Sequence, residues 1–228
     1  MNIQIRYPEQ PGMAVDTVSV IGSFNGYDAA SGKMRLEEND WIYEAKLPAG
    51  EYYYKFLLNG EVLLNDPEAN SYVPRKEEET ELWSYLKVNH VGERLYNNSK
   101  YAVNVADYQL SAAISTEHGT EKHYFSSVLD KKVVARFGFD RVTGIHPVTV
   151  LWCDRAGTVR EYTEQLLLPL GEGEEQAVLW FWLDIEKQEP AEGGWTVKLF
   201  IDGQFILEDN FQIGNTFLYT RDGKLKNT

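Results

Sequence analysis

Short apolar runs separated by turn-forming residues set the pattern of this chain. In its first half Asn2 to Tyr7, Thr17 to Gly22, Trp41 to Leu47, Glu51 to Leu58, Glu61 to Leu64 and Leu82 to Val88 are rich in branched and aromatic residues. Such side chains pack well on a pleated, half-buried surface, so each run predicts a strand. The breaks carry turn chemistry: Pro11-Gly12, Asn25-Gly26, Pro48-Ala49-Gly50, Asn59-Gly60 and Asp66-Pro67. Asn59-Gly60 is the sharpest of these. Between Lys55-Phe56-Leu57-Leu58 and Glu61-Val62-Leu63-Leu64 it predicts a two-residue hairpin, because a type I′ turn needs positive φ at both central positions.

From about Val91 to Ser99 the pattern lapses into polar residues, which places a linker there. Strand-like runs then resume at Tyr101 to Ser115, Lys132 to Phe139, Val148 to Cys153, Thr158 to Leu168, Gln176 to Ile185, Trp195 to Ile201, Gln204 to Leu207 and Phe211 to Ile213. Val178 to Leu183 is apolar on both alternating sets, which predicts a strand covered on both faces or, as the alternative, shared with an interface. Gln109 to His118 reads alternatively as a short helix, since Leu110, Ala113 and Ile114 fall at helical spacing, against Ser111, Ser115 and Gly119. Lys55 to Asp66 is echoed by Lys198 to Asp209, with Asn59-Gly60 and Asp202-Gly203 at corresponding places. Shared hairpin physics alone produces such an echo, so duplication of a whole domain stays open. The expected fold is all-β, with two immunoglobulin-like β-sandwich domains in tandem, residues 1–90 and 100–228.

The 228 residues, 43% of them hydrophobic and 13% aromatic, suffice for two cores. A net charge of −13 opposes nucleic acid and anionic membrane surfaces, and leaves neutral ligands and other proteins as partners. Met1 to Arg6 lack the apolar core of a signal peptide, and no run has the length of a membrane-spanning helix, so cytoplasmic residence is the expectation. Cys153, the single cysteine, excludes an intrachain disulfide and a multi-thiolate zinc site.

Val18 to Tyr27, Trp41 to Phe56, Asn59-Gly60 and Asn65-Asp66-Pro67 follow one another in a recognisable order: a strand ending in Gly-Ser-Phe-Asn, an aromatic strand, Leu-Pro-x-Gly, a Tyr-Lys-Phe strand, a turn, and Asp-Pro. Over roughly residues 15–88 this order resembles the glycogen-binding module of the AMP-activated protein kinase β subunit and the related modules of glycogen branching and debranching enzymes. Physical chemistry explains the motifs without a sugar: Gly22, Gly26 and Gly50 permit tight reversals, and Phe24, Trp41 and Phe56 anchor facing sheets. Binding has to be argued from the site.

The resemblance implies a sugar platform of a tryptophan after the Ser-Phe-Asn turn, a lysine in the Tyr-Lys-Phe strand, a second tryptophan after the hairpin turn and an asparagine before the last strand. Tyr27 stands at the first position and still offers a ring face. Lys55 matches the lysine, whose ammonium donates to hydroxyls. Val62 replaces the second tryptophan, and the asparagine position falls on Thr80, or on Glu81 if the loop slips by one. Alternation puts Trp83 and Tyr85 on one face, opposite Leu82, Ser84 and Leu86, which makes Trp83 or Tyr85 a substitute stacking surface. The implied function is weak α-glucan binding through Tyr27, Lys55, Thr80 and Trp83; the alternative is a protein-interaction sandwich that has lost the sugar. Trp152, Trp180, Trp182 and Trp195 read as core or interdomain contacts.

Catalysis is not expected. No Gly-x-Ser-x-Gly turn, phosphate loop or dinucleotide fingerprint occurs, and no cofactor is implied. Cys153 follows Leu151-Trp152 in an apolar strand and reads as a small buried hydrophobe. Glu77-Glu78-Glu79 and Glu172-Gly173-Glu174-Glu175 read as solvated loops, and Glu117, His118, Glu121 and His123 match no metal-ligand spacing, so no metal is expected.

Overall fold

The computed structural model describes residues 3–75, 81–95, 102–114 and 121–215. The strands of the first half are β1 (Ile3–Pro8), β2 (Val18–Gly22), β3 (Arg35–Glu37), β4 (Asp40–Ala45), β5 (Gly50–Leu58), β6 (Val62–Leu64), β7 (Ser71–Pro74), β8 (Leu82–Val88) and β9 (Arg94–Leu95). Those of the second half are β10 (Asn104–Ser111), β11 (Tyr124–Ser126), β12 (Lys132–Asp140), β13 (His146–Asp154), β14 (Val159–Leu167), β15 (Ala177–Asp184), β16 (Gly193–Ile201) and β17 (Gln204–Gly214). The chain is all-β, with single 3₁₀ turns at Ser23–Asn25 and Ile185–Lys187 among the described residues.

In the first half, a sheet β1-β4-β3 faces a sheet β2-β5-β8-β7, to which β6 and β9 add at β5 and β8. Ile3, Ile5 and Tyr7 alternate with exposed Gln4 and Arg6, so one face of β1 enters the core and meets Tyr54, Phe56 and Leu58 of β5. The rings of Tyr7 and Phe56 meet edge to face at 5.0 Å, a geometry set by the ring quadrupole. Arg94 pairs with Val88 in the ladder β8–β9, so the first half extends to Leu95, past the start of the expected linker.

In the second half, a sheet β10-β12-β15 faces a sheet β11-β17-β16-β13-β14, in which β11 and β17 run parallel. Gln109 to Ser111 lie in β10 and pair with β12, so tertiary pairing overrides the helical spacing there; residues 115–120 lie outside the described ones. β17 runs unbroken where two short strands were expected.

The two halves are not joined by a simple linker contact. β13 and β16 are buried on both faces: Val148, Val150, Trp152, Val197 and Leu199 enter the second core, while Leu151, Cys153 and Phe200 belong to the first. Each such buried Leu or Phe contributes about 1.5–3 kcal/mol. Expectation had placed the doubly covered strand at β15. In fact Phe181 and Leu183 of β15 are core, whereas Trp182 on the opposite face is 40% exposed.

Both hairpin turns have the expected conformation. Asn59 and Gly60 have φ of 51° and 74°, and Asp202 and Gly203 of 58° and 82°. The registers differ: Ile201 pairs directly with Gln204, whereas Leu58 pairs with Val62 and leaves Glu61 as an extra residue beside the turn.

Candidate functional site

The outer face of the sheet β2-β5-β8-β7 is assembled by simple alternation. Tyr54 and Phe56 point into the core, so Tyr53 and Lys55 point out; Leu86 and Val88 are core, so Trp83 and Tyr85 point out. Ser84, on the inner side, is buried and donates its hydroxyl to Asn65 Oδ1 at 3.0 Å. Tyr53 and Tyr85 lie directly opposite one another with ring centroids 5.9 Å apart.

Tyr27 reaches this face from the turn after Asn25. The side chain of Asn25 holds that turn by accepting from Gly22 N at 2.9 Å and donating to Val20 O at 2.9 Å. Tyr27, itself at positive φ, donates its N–H to Gly22 O at 2.9 Å. Its ring meets that of Trp83 edge to face at 5.4 Å. Arg75 lies over both rings, its guanidinium 5.0 Å from the centre of Tyr27 and 5.1 Å from that of Trp83, and Lys55 Nζ lies 5.6 Å from the Trp83 ring. Three of the expected residues, Tyr27, Lys55 and Trp83, therefore gather in one place. Thr80, the fourth, lies outside the described residues.

Their exposure corrects the expectation of an open platform. Trp83 is 4% exposed, covered by Tyr27, Arg75 and Lys55, and is no surface aromatic. Lys55 is 1% exposed, and its ammonium donates to Glu81 Oε1 and Glu164 Oε2, each at 2.9 Å. Glu164 belongs to β14, 109 residues away in sequence. It also accepts from Leu82 N at 3.1 Å and Asn65 Nδ2 at 3.2 Å, so one carboxylate of the second half ties three elements of the first. Burial pushes the Glu164 carboxyl above its ordinary range, against the pull of the Lys55 charge. Tyr27, Tyr53 and Tyr85 remain half-buried and present accessible ring surface.

Behind this face a buried polar chain continues toward the second half. Asp66 accepts from the Tyr54 hydroxyl, and its backbone N–H donates to Ser84 Oγ at 2.7 Å. Complete burial raises the Asp66 carboxyl despite nearby Arg94. The turn Asp202-Gly203 docks beside it: Gln10 Nε2 donates to Gly203 O at 2.9 Å, and a Cβ on Gly203 would lie 1.8 Å from Asn65 O. His146 Nδ1 lies 2.8 Å from Asp202 Oδ2. Burial alone would lower the imidazole, but the Asp202 carboxylate outweighs it and raises the His146 pKa.

Sequence reading missed Arg75, Glu81 as a lysine partner, and Glu164. Arg75 belongs to no motif, and Glu164 sits in a strand whose alternation shows only that it faces away from its own core. Elsewhere, Cys153 is buried, and burial pushes its thiol up to about 11. It borders a cleft of about 400 Å³ between Gly12–Thr17, the Asn59–Gly60 turn and Ala156–Val159. Of the metal-like quartet, Glu117 and His118 lie outside the described residues, and His123 Nε2 sits 2.8 Å from Asp209 Oδ2.

No curated protein matches the chain. Among solved structures, an immunoglobulin-like protein from Pseudomonas aeruginosa aligns with 49% of this chain and 96% of its own at 16% identity and a TM-score of 0.36. A maltogenic amylase from S. marinus aligns with 92% of this chain, which spans 28% of that protein, at 14% identity and a TM-score of 0.32. A DUF3823 family protein from Bacteroides ovatus aligns over 93% of this chain and 99% of its own at 11% identity and a TM-score of 0.28. At these scores the likenesses carry no argument. Residues 3–90, the segment that builds the Tyr27–Lys55–Trp83 face, match the family model described as the glycogen recognition site of AMP-activated protein kinase.

Proposed function

We propose that this is a cytoplasmic, non-catalytic accessory protein of two units, residues 1–90 and 100–228, that binds α-glucan weakly through the outer face of its first sandwich. The observation that carries the reading is the gathering of Tyr27, Arg75, Trp83 and Lys55 within a segment matched to a glycogen recognition site. Tyr27, Tyr53 and Tyr85 offer ring faces to pyranose C–H surfaces; by sequence count from Asp66-Pro67, Thr80 is the residue that stands for the polar partner. Trp83 and Lys55 support the platform from beneath. Affinity is low because Val62 supplies no ring, each lost contact costs about 1 kcal/mol, and the Lys55 ammonium already serves two carboxylates. A non-catalytic role is supported by the burial of Cys153, which disfavours its thiolate.

Calorimetric titration with maltoheptaose or β-cyclodextrin tests this. Weak binding that is reduced in Tyr27→Ala is the expected outcome, and silence at millimolar ligand ends the reading. A second reading, a protein-interaction sandwich without sugar binding, is favoured by one feature: Glu164 turns the lysine of the family's platform into an internal tie. It requires a protein partner, and a monomer that captures none in pull-down and size-exclusion experiments counts against it.

A further inference from the structure

The outward face of the sheet β10-β12-β15, on the other side of the molecule's second core, carries a separate group of side chains. Because Phe181 and Leu183 point into the core, Trp180 and Trp182 project from the opposite face of β15. On the adjacent strand Val133, Ala135, Phe137 and Phe139 are core, so Val134, Arg136 and Gly138 share the tryptophans' face. The register places Val134 opposite Trp182, Arg136 opposite Trp180, and Gln109 of β10 beyond Arg136 in the same row.

Three observations set this face apart from an ordinary solvated sheet. Trp182 is 40% exposed on a strand whose outer residues are otherwise free to be polar. Beside it, the Trp180 indole N–H and the Arg136 Nε–H are both buried and have no acceptor among the described residues. An orphaned buried donor costs about 1–3 kcal/mol; the Trp83 and Trp152 indoles are orphaned too, but here two such donors lie on residues that face each other in one register beside an exposed ring. Third, the charges are already compensated: Arg136 pairs with Asp107, and Lys132, 4.8 Å over the Trp182 ring, lies 3.7 Å from Asp184. Gln176 donates to Asp107 at 3.1 Å across Gly138, where a Cβ would meet Gln176 Nε2 at 2.2 Å, so the absence of a side chain there keeps the carboxylate in place.

We propose that this face is a second ligand platform, and that its ligand is a neutral oligosaccharide. Ring faces two residues apart, about 7 Å along the strand, suit successive pyranose C–H faces, and hydroxyl oxygens supply the acceptors that Trp180 and Arg136 lack. Local charge balance disfavours an anionic ligand. An added peptide strand is disfavoured because Gln165 Nε2 already donates to Trp180 O at 2.7 Å on the outer edge of β15. The choice of an α-glucan as first probe rests on the function proposed for the first sandwich; the platform itself does not.

The full chain is titrated with maltoheptaose, cellohexaose and laminarihexaose, with indole N–H resonances and tryptophan fluorescence as readouts, in the parent, Trp182→Ala, Trp182→Phe and Tyr27→Ala. The expected result is a shift of the Trp180 indole by at least one of the three sugars. Dissociation constants read from the Trp180 indole should rise roughly five- to tenfold in Trp182→Ala, recover partly in Trp182→Phe and stay unchanged in Tyr27→Ala, which removes only the binding at the first sandwich. Binding abolished by Tyr27→Ala and untouched by Trp182→Ala overturns the platform and leaves the first-sandwich site. The reverse pattern keeps the platform and removes that site, and no response to any sugar overturns both. Self-association that disappears in Trp182→Ala, without a sugar response, assigns the face to a second copy of the chain and overturns the proposal.

Discussion

The two outward sheet faces contain the same ingredients in opposite states of exposure. On β2-β5-β8-β7, Trp83 lies beside Lys55 and Arg75, and all access to the lysine is taken by Glu81 and Glu164. On β10-β12-β15, Trp180 and Trp182 lie beside Arg136 and Lys132, and an indole ring remains in solvent. What differs is the neighbour. The first face receives a carboxylate from β14, whereas no residue of β10, β12 or β15 joins the first core among the described residues. A ring and a cation on a sheet thus become a structural tie or an available surface according to what docks above them.

The comparison is broken most severely at Lys55. Lys55→Ala leaves Glu164 buried without its counter-charge, and urea unfolding should show a loss of about 3–5 kcal/mol. The double variant Lys55→Met/Glu164→Leu should recover most of that, since well-packed apolar residues replace a buried pair at little cost. Glu81→Ala removes only the 44%-exposed partner and should cost no more than about 1 kcal/mol.

Next in size is the docking turn. Gly203→Ala combines φ of 82° with a Cβ 1.8 Å from Asn65 O, and should cost more than about 2 kcal/mol. Gly60→Ala, at φ of 74° but with open space around it, should cost only the left-handed strain of about 1–2 kcal/mol. Equal losses in denaturant melts would mean that the second turn does not hold the halves together.

A smaller, pH-dependent effect belongs to His146. Its folded pKa is raised by Asp202, so its stabilisation is complete below the unfolded value of about 6.5 and is lost as pH rises through the folded value. Thermal stability should therefore decline on the alkaline side of that window, and the slope should flatten in His146→Gln. Asp202 and Glu164, both raised by burial, act lower: each holds its proton more tightly when folded, so stability falls as pH rises through the carboxylate range. The smallest effect is expected from Trp182→Phe, which keeps most of the ring burial and weakens a contact with Lys132 worth about 0.5–1 kcal/mol. A loss several times larger in a melt would show that the ring is structural.

Alternation and turn chemistry were enough to locate the long strands, because a period of two and a positive φ are local properties that one stretch of chain expresses alone. The strands β3, β7, β9 and β11, of two to four residues, escaped notice, since so few positions carry no periodicity. Trp83 was assigned to the correct face and the wrong exposure. Its face follows from Leu82, Ser84 and Leu86 being on the other side, whereas its burial depends on Tyr27 and Arg75 arriving from distant loops. Trp182 was misread in the opposite sense, because an apolar run with no polar alternation looks the same whether or not a neighbour covers it.

Read alone, the sequence determined the all-β character, both type I′ turns, the family resemblance of the first sandwich and the residue types on its outer face. Tertiary structure decided that Leu151, Cys153 and Phe200 complete the first core, that Lys55 is spent on Glu164, and that Trp180 and Arg136 stand together with unmet donors. The division has a physical cause. Strand direction and turn conformation are fixed by sterics within a few residues, whereas burial, and with it the free energy of every charge and ring, depends on which distant surface excludes the water.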